Sequence, residues 1–296
     1  MLMRSILPRL PRRWLFMCLA LAGLPAGRAV AQPISIVAAE NFYGEVAEQL
    51  AGSTATISSI LSKPDQDPHL FEASPSVARL LAGAWIVVCN GADYDPWMTN
   101  LLSASRSPNR TVIVVADLVH RKPGDNPHLW YDPATMPAYA KALTAALSQR
   151  DASHQADYDQ RLRAFLDALQ PLQANIAELR GKFSGIPVTA TEPVFGYMAT
   201  ALGFKMRNER FQLAVMNDTE PRASDVAAIE NDLRKRQVRV LFHNSQATDT
   251  AAERLVRIAR ESKVPVVGVT ETQPNGTTYQ AWMMQQLDAV AQALGP

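Results

Sequence analysis

From Ile34 to Thr270 the chain alternates short runs rich in β-branched residues with longer stretches whose apolar positions recur every three or four residues. The short runs fall at Ile34–Ala38, Ala55–Ile60, Trp85–Cys89, Val112–Ala116, Ile186–Ala190, Val238–Phe242 and Val264–Thr270, and each predicts a strand. Strands alternating with amphipathic helices predict an α/β fold in which mostly parallel sheets are covered by helices. Between the fourth and fifth runs the alternation stops. From about Ser153 to Phe183, Leu162, Phe165, Leu166, Leu169, Leu172, Ile176 and Leu179 recur at steps of three and four, which predicts one long amphipathic helix. At 1.5 Å per residue, ~30 residues reach roughly 45 Å, the length of a domain. Pro171 in its interior predicts a kink. The expected organisation is therefore two Rossmann-like lobes, 32–150 and 185–296, joined by a linking helix over 151–184.

The first 31 residues stand apart. Arg4, Arg9, Arg12 and Arg13 precede an apolar run from Trp14 to Leu24, and Ala29-Val30-Ala31 offers a small-residue cleavage site, so this segment reads as a signal peptide. The mature chain is expected to begin at Gln32 and to be soluble in the periplasm. Cys18 lies inside the apolar run without the small residues that lead to a lipidated cysteine, and Arg12-Arg13 only weakly resembles a twin-arginine signal. Five of the 29 basic residues and none of the 28 acidic ones lie in this segment, so the remainder carries 24 basic against 28 acidic side chains, a net charge of about −4. That balance leaves no basic stripe for nucleic acid or anionic lipid. Past the leader only Cys89 remains, which excludes an intramolecular disulfide, and its apolar neighbours predict a buried thiol.

In parallel α/β sheets ligands sit beyond the carboxyl ends of the strands. Two segments there share one pattern: Asp67-Pro68-His69-Leu70-Phe71 and Asn126-Pro127-His128-Leu129-Trp130. Each leads to a helix start, Ser74-Pro75 and Asp132-Pro133. The proline stiffens the backbone before each histidine, which suits a metal ligand. In the second half Glu192 follows the strand Ile186–Ala190, and Glu271 follows the strand ending at Thr270. Two candidates per lobe, all at strand ends, suit a metal gripped in the cleft between the lobes. His243, after the strand Val238–Phe242, is expected to support that site, to replace Glu271 as a ligand if Glu271 cannot reach, or to play a structural part. His120 and His154 read as surface residues, and Tyr94, Trp97, Trp130 and Trp282 as packing residues. Asp93 and Asp95 read as turn chemistry.

These motifs, with Glu72, the segment Thr191-Glu192-Pro193-Val194-Phe195-Gly196-Tyr197, and Thr270-Glu271 followed by Gly276, Tyr279 and Met283-Met284, resemble the zinc/manganese class of metal-binding solute receptors of ABC importers. The resemblance spans nearly the whole mature chain. It implies two lobes joined by one long helix, the ligands His69, His128, Glu192 and Glu271, and delivery of the ion to an ABC permease. Two features depart from the class: its fourth ligand is typically aspartate, and the histidine-rich loop of many zinc-specific members is missing. Two imidazoles and two carboxylates with no thiolate admit Mn²⁺, Zn²⁺ or Fe²⁺. Carboxylates able to bind through both oxygens put Mn²⁺ ahead of Zn²⁺, although Zn²⁺ binds such sites more tightly. The protein is expected to be a monomer with no catalytic residue and no cofactor besides its cargo. The rival readings are a metal-dependent hydrolase, which needs an open coordination position and a base, and a surface adhesin.

Overall fold

The structure is a computed structural model, and it describes residues 33–63, 71, 74–246 and 250–295. The leader with Cys18, and the segment carrying Asp67, Pro68, His69 and Glu72, lie outside the described residues. In chain order the elements of the first half are β1 (Ile34–Glu40), α1 (Asn41–Ala51), β2 (Ala55–Leu61), α2 (Pro75–Ala82), β3 (Ile86–Cys89), α3 (Pro96–Ala104), β4 (Thr111–Val114), α4 (Val115–Leu118) and α5 (Thr135–Arg150). Two further helices follow, α6 (Gln155–Ala168) and α7 (Gln170–Phe183). The second half comprises β5 (Pro187–Ala190), α8 (Gly196–Ala201), β6 (Lys205–Met206), α9 (Glu209–Met216), α10 (Ala223–Arg234), β7 (Leu241–Asn244), α11 (Thr250–Glu261), β8 (Val266–Val269) and α12 (Tyr279–Leu294).

The strands form two four-stranded sheets, ordered β2-β1-β3-β4 and β6-β5-β7-β8, and every pairing is parallel. Burial explains why the apolar runs lack polar alternation: β3 is buried at all four positions, as helices cover both faces. In each sheet the strand order reverses direction between the first and third strands of its half, β1 and β3 in one, β5 and β7 in the other. Such reversals open a crevice at the strands' carboxyl ends.

Where one long helix is expected, the chain forms two. Proline has no N–H to offer the carbonyl four residues back, and its ring crowds that carbonyl. Pro171 sits in the first turn of α7, and at Leu169 the ladder tightens, its N–H reaching the Leu166 carbonyl at 3.2 Å. Leu169, Leu172, Ile176 and Leu179 are all buried in the main core, so one apolar face continues through the break. That core includes Ile36, Val88, Trp130, Val188, Phe242 and Leu287, residues of both halves. The last helix, α12, returns to the first half: Tyr279 donates its hydroxyl to the Trp130 carbonyl at 2.7 Å, and Trp282 packs 6.1 Å from Phe42 between ring centroids. Among the described residues no helix is long and apolar enough to cross a membrane.

At α2 the expected start is observed: Ser74 accepts from the Val77 N–H with Pro75 in the first turn. At the second, Asp132 accepts from the Ala134 N–H at 3.0 Å and closes a turn ahead of α5, which starts at Thr135. Cys89 is buried, and burial pushes its thiol well above the usual range.

Candidate metal centre

His128 is fully buried and leaves the loop after α4 just before a short 3₁₀ turn, Leu129–Tyr131. Its ring orientation is set by Asn126. The Asn126 amide donates Nδ2–H to the Pro193 carbonyl at 2.8 Å, which turns Oδ1 toward His128, where it lies 2.6 Å from Nδ1 and accepts from the backbone N–H at 3.1 Å. Nδ1 therefore carries the hydrogen, and in the neutral ring Nε2 is the bare lone pair. Nε2 is buried and meets no hydrogen-bond partner among the described residues. It stands 3.7 Å from Glu271 Oε2. An ion ~2.1 Å from each of these atoms would subtend roughly 120° between them, near tetrahedral or trigonal values.

Glu192 follows β5 and Glu271 follows β8, both buried. The end of β7 joins them. Asn244 Nδ2 donates to Glu271 Oε1 at 2.7 Å and lies 3.3 Å from Glu192 Oε2, while its backbone N–H is held by Thr191 Oγ1 at 3.2 Å. One amide thus stands between two carboxylates that would otherwise repel in a medium of low dielectric. Gln246 completes the support, its Oε1 accepting from the N–H groups of Glu271 and Thr272. The segment after β8 is also clamped from the first half. Tyr131 donates to the Thr270 carbonyl at 2.9 Å, and Asn41 exchanges hydrogen bonds with the Gln273 backbone at 2.7 and 3.1 Å.

Tyr94 is no mere packing residue: its hydroxyl donates to Glu271 Oε2 at 3.0 Å. Burial, and next the charge of Glu271, hold its phenol well above the ordinary tyrosine range, so it is a donor at neutral pH. It is delivered by a turn in which Gly91, Ala92 and Asp93 all lie in the left-handed region, at φ of 76°, 50° and 64°. That conformation costs a non-glycine residue roughly 1–2 kcal/mol. Gly91 has no alternative, because a Cβ there would meet Val114 Cγ1 at 2.7 Å. Asp95 pins the turn, accepting from the N–H groups of Asn90 and Gly91 at 2.7 and 2.8 Å. Beneath it lies Glu40, at the end of β1, with no exposure and no donor to either oxygen among the described residues. Burial first, then the charge of Asp95, push its carboxyl well above the usual range. Both effects favour the neutral form of the Glu40 carboxyl. Asn90 ties this buried layer to the histidine loop, accepting from the Tyr43 hydroxyl at 2.7 Å and donating to the Pro127 carbonyl at 2.9 Å.

Trp97 is partly buried, and Trp130 and Trp282 pack in the core as expected. His243 points the other way from Asn244, since successive side chains alternate across a strand, and it lines a surface hollow with Glu253, Arg257 and Arg260. His120 is exposed, and His154 pairs with Asp151 at 2.6 Å on the surface. Of the four candidates, the structure therefore brings His128 beside Glu271 and ties Glu271 to Glu192 through Asn244. His69 lies outside the described residues, among which no group of three His, Cys, Asp or Glu side chains is spaced to hold a metal ion. Asn244 and Tyr94 are the contacts that sequence reasoning missed.

Known proteins share this architecture along their length. The periplasmic zinc-binding protein TroA of Treponema pallidum superposes with a TM-score of 0.75 over 89% of this chain and all of its own, at 20% identity, which establishes the fold. A manganese-bound periplasmic metal-binding protein from Candidatus Liberibacter asiaticus does so at 0.71 over 88%, with 18% identity. In sequence the chain is 23% identical to the manganese ABC transporter substrate-binding lipoprotein PsaA of Streptococcus pneumoniae over 89% of this chain and 90% of that protein. It is 22% identical to the manganese-binding lipoprotein MntA of Bacillus subtilis over 95% and 97%. Residues 36–293 match the model of the family described as zinc-uptake complex component A, periplasmic, and the chain belongs to that family.

Proposed function

We propose that this protein is the substrate-binding component of an ABC metal importer: it binds a divalent transition metal through His69, His128, Glu192 and Glu271 and delivers it to the membrane permease. The ion is Mn²⁺ ahead of Zn²⁺, with Fe²⁺ admitted. The observation that carries the reading is His128 Nε2, a buried lone pair without a partner among the described residues, facing Glu271 Oε2 at 3.7 Å. A buried imidazole nitrogen left unmatched is costly unless something binds it. Two carboxylates balance a dication, so the closed complex strands no charge. Oxygen-rich ligation by two carboxylates suits Mn²⁺ and its higher coordination numbers.

Relatives named as substrate-binding parts of metal importers favour transport over hydrolysis or adhesion. The protein is exported and works as a monomer in the periplasm, and its charge suits neither nucleic acid nor membrane. Isothermal titration with Mn²⁺ and Zn²⁺ tests the binding step. The wild type is expected to bind both tightly and His128→Ala neither; equal affinity in the variant overturns the assignment. Uptake of labelled Mn²⁺ by vesicles carrying the permease tests delivery, and uptake independent of the protein refutes it.

A further inference from the structure

The turn between β3 and α3 brings to the cleft one side chain that the four-ligand reading leaves without a task. The backbone spends left-handed conformations at Gly91, Ala92 and Asp93 to place it, and the turn is held at both levels: Asp95 accepts from Asn90 and Gly91 below, and Asp93 accepts from the Gly124 N–H at 3.2 Å above. Backbone held against its preference, by hydrogen bonds that over-determine it, points to a position that matters. The residue so placed, Tyr94, is buried, with its ring edge-on to Trp130 and His128 at centroid distances of 4.9 and 6.0 Å. The bonds from Tyr131 and Asn41 to the segment after β8 end on backbone atoms. The bond from Tyr94 ends on Glu271 Oε2, the oxygen nearest His128 Nε2.

We propose that Tyr94 is a positioning residue of the metal site, reaching across from the first half to fix the Glu271 carboxylate and so the coordination geometry that an ion meets there. The inference rests on His128 and Glu271 being ligands. Glu271 is gripped at both ends, Oε1 by Asn244 and Oε2 by Tyr94. A carboxylate held in this way cannot swing between one-oxygen and two-oxygen coordination without breaking one of the two bonds. Hydrogen bonds to ligating side chains typically govern metal affinity by 10–100-fold. Without the hydroxyl, one of the two bonds that fix the carboxylate is lost and the ion's coordination changes.

The test compares the wild type with Tyr94→Phe and His128→Ala, using Mn²⁺ for affinity and the visible d–d absorption of bound Co²⁺ for geometry. Phenylalanine keeps the ring contacts with Trp130 and His128, so the fold is retained, as circular dichroism will verify. Tyr94→Phe is expected to weaken Mn²⁺ binding by about 10–100-fold and, at saturating Co²⁺, to shift the position and intensity of the bands. Wild-type affinity and spectrum in Tyr94→Phe, with binding abolished in His128→Ala, overturn the role of Tyr94 and leave the ligand assignment standing. Weakened affinity with a wild-type spectrum at saturation also overturns it, because lost stability alone does not alter the geometry of the filled site. A His128→Ala variant that binds like the wild type removes the ligand assignment itself.

Discussion

Replacing Asn126 separates its two tasks. The side chain orients His128 through Oδ1 and ties the histidine loop to the Glu192 segment through Nδ2. Asn126→Ala strands three partners: the His128 ring N–H, the His128 backbone N–H and the Pro193 carbonyl. A stranded buried group costs about 1–3 kcal/mol; water entering the vacated space offsets part of this, so a loss of about 3 kcal/mol is expected. For a chain of this size that lowers the melting temperature by roughly 6–12 °C. Metal affinity should fall about 10–100-fold, as imidazole orientation and tautomer are no longer imposed. Asn126→Asp keeps the acceptor for both His128 hydrogens and loses only the donor to Pro193. It should lose about 1–3 kcal/mol of stability yet bind metal within about threefold of the wild type, because a carboxylate partner makes a ligating imidazole more basic. Calorimetric melting of the metal-free protein and titration with Mn²⁺ measure both quantities. If Asn126→Asp loses as much affinity as Asn126→Ala, Oδ1 does not orient the ring.

Two further predictions concern the same framework. Glu40 has a raised carboxyl pKa in the folded state, so its contribution to stability is fully present below the unfolded carboxyl pKa of ~4.3 and is lost as pH rises toward the folded value. Glu40→Gln keeps the size of the side chain and removes that titration, so the stability difference, variant minus wild type, should grow from about pH 4.5 upward by at most ~1.4 kcal/mol per pH unit; parallel denaturation curves from pH 4 to 8 contradict it. At Gly196 a Cβ would meet Asn126 Nδ2 at 2.9 Å, in a helical conformation that alanine otherwise favours. Gly196→Ala should weaken metal binding by displacing Asn126 and lower the melting temperature less than Asn126→Ala does, and a variant with wild-type affinity in titration shows that the amide can yield.

The sheets were legible because their strands are short runs rich in β-branched residues, β3 buried at every position, and those runs stand out between amphipathic stretches. The break at Pro171 was legible as well, though only as a kink; that the chain divides there into two helices follows from the tightened turn at Leu169. The two-residue strand Lys205–Met206 offered too little pattern to read. Strand register hid Asn244. The run Val238–Phe242 drew attention to His243, whereas pairing begins at Leu241 and extends to Asn244, which turns His243 outward and Asn244 toward the carboxylates. Tyr94 was hidden by its own chemistry, since an aromatic beside apolar strands reads as packing, and its placement depends on left-handed backbone at Ala92 and Asp93 that no composition announces. Glu40 ends an apolar strand and lies wholly buried, where the charge of Asp95 adds to the effect of burial on its carboxyl, and no pattern along the chain announces that. Glu192 and Glu271 drew attention because both follow strands at the carboxyl edge, and His128 because its Asn-Pro-His-Leu-Trp segment repeats the pattern at Asp67–Phe71.

The most direct measurement is the crystal structure of the protein soaked with Mn²⁺, the ion located by its anomalous scattering. One ion is expected, bonded to His128 Nε2 and to Glu271, with His69 and Glu192 completing its shell at ~2.0–2.3 Å. An ion lying elsewhere, with His128 Nε2 and both carboxylates out of bonding distance, contradicts this.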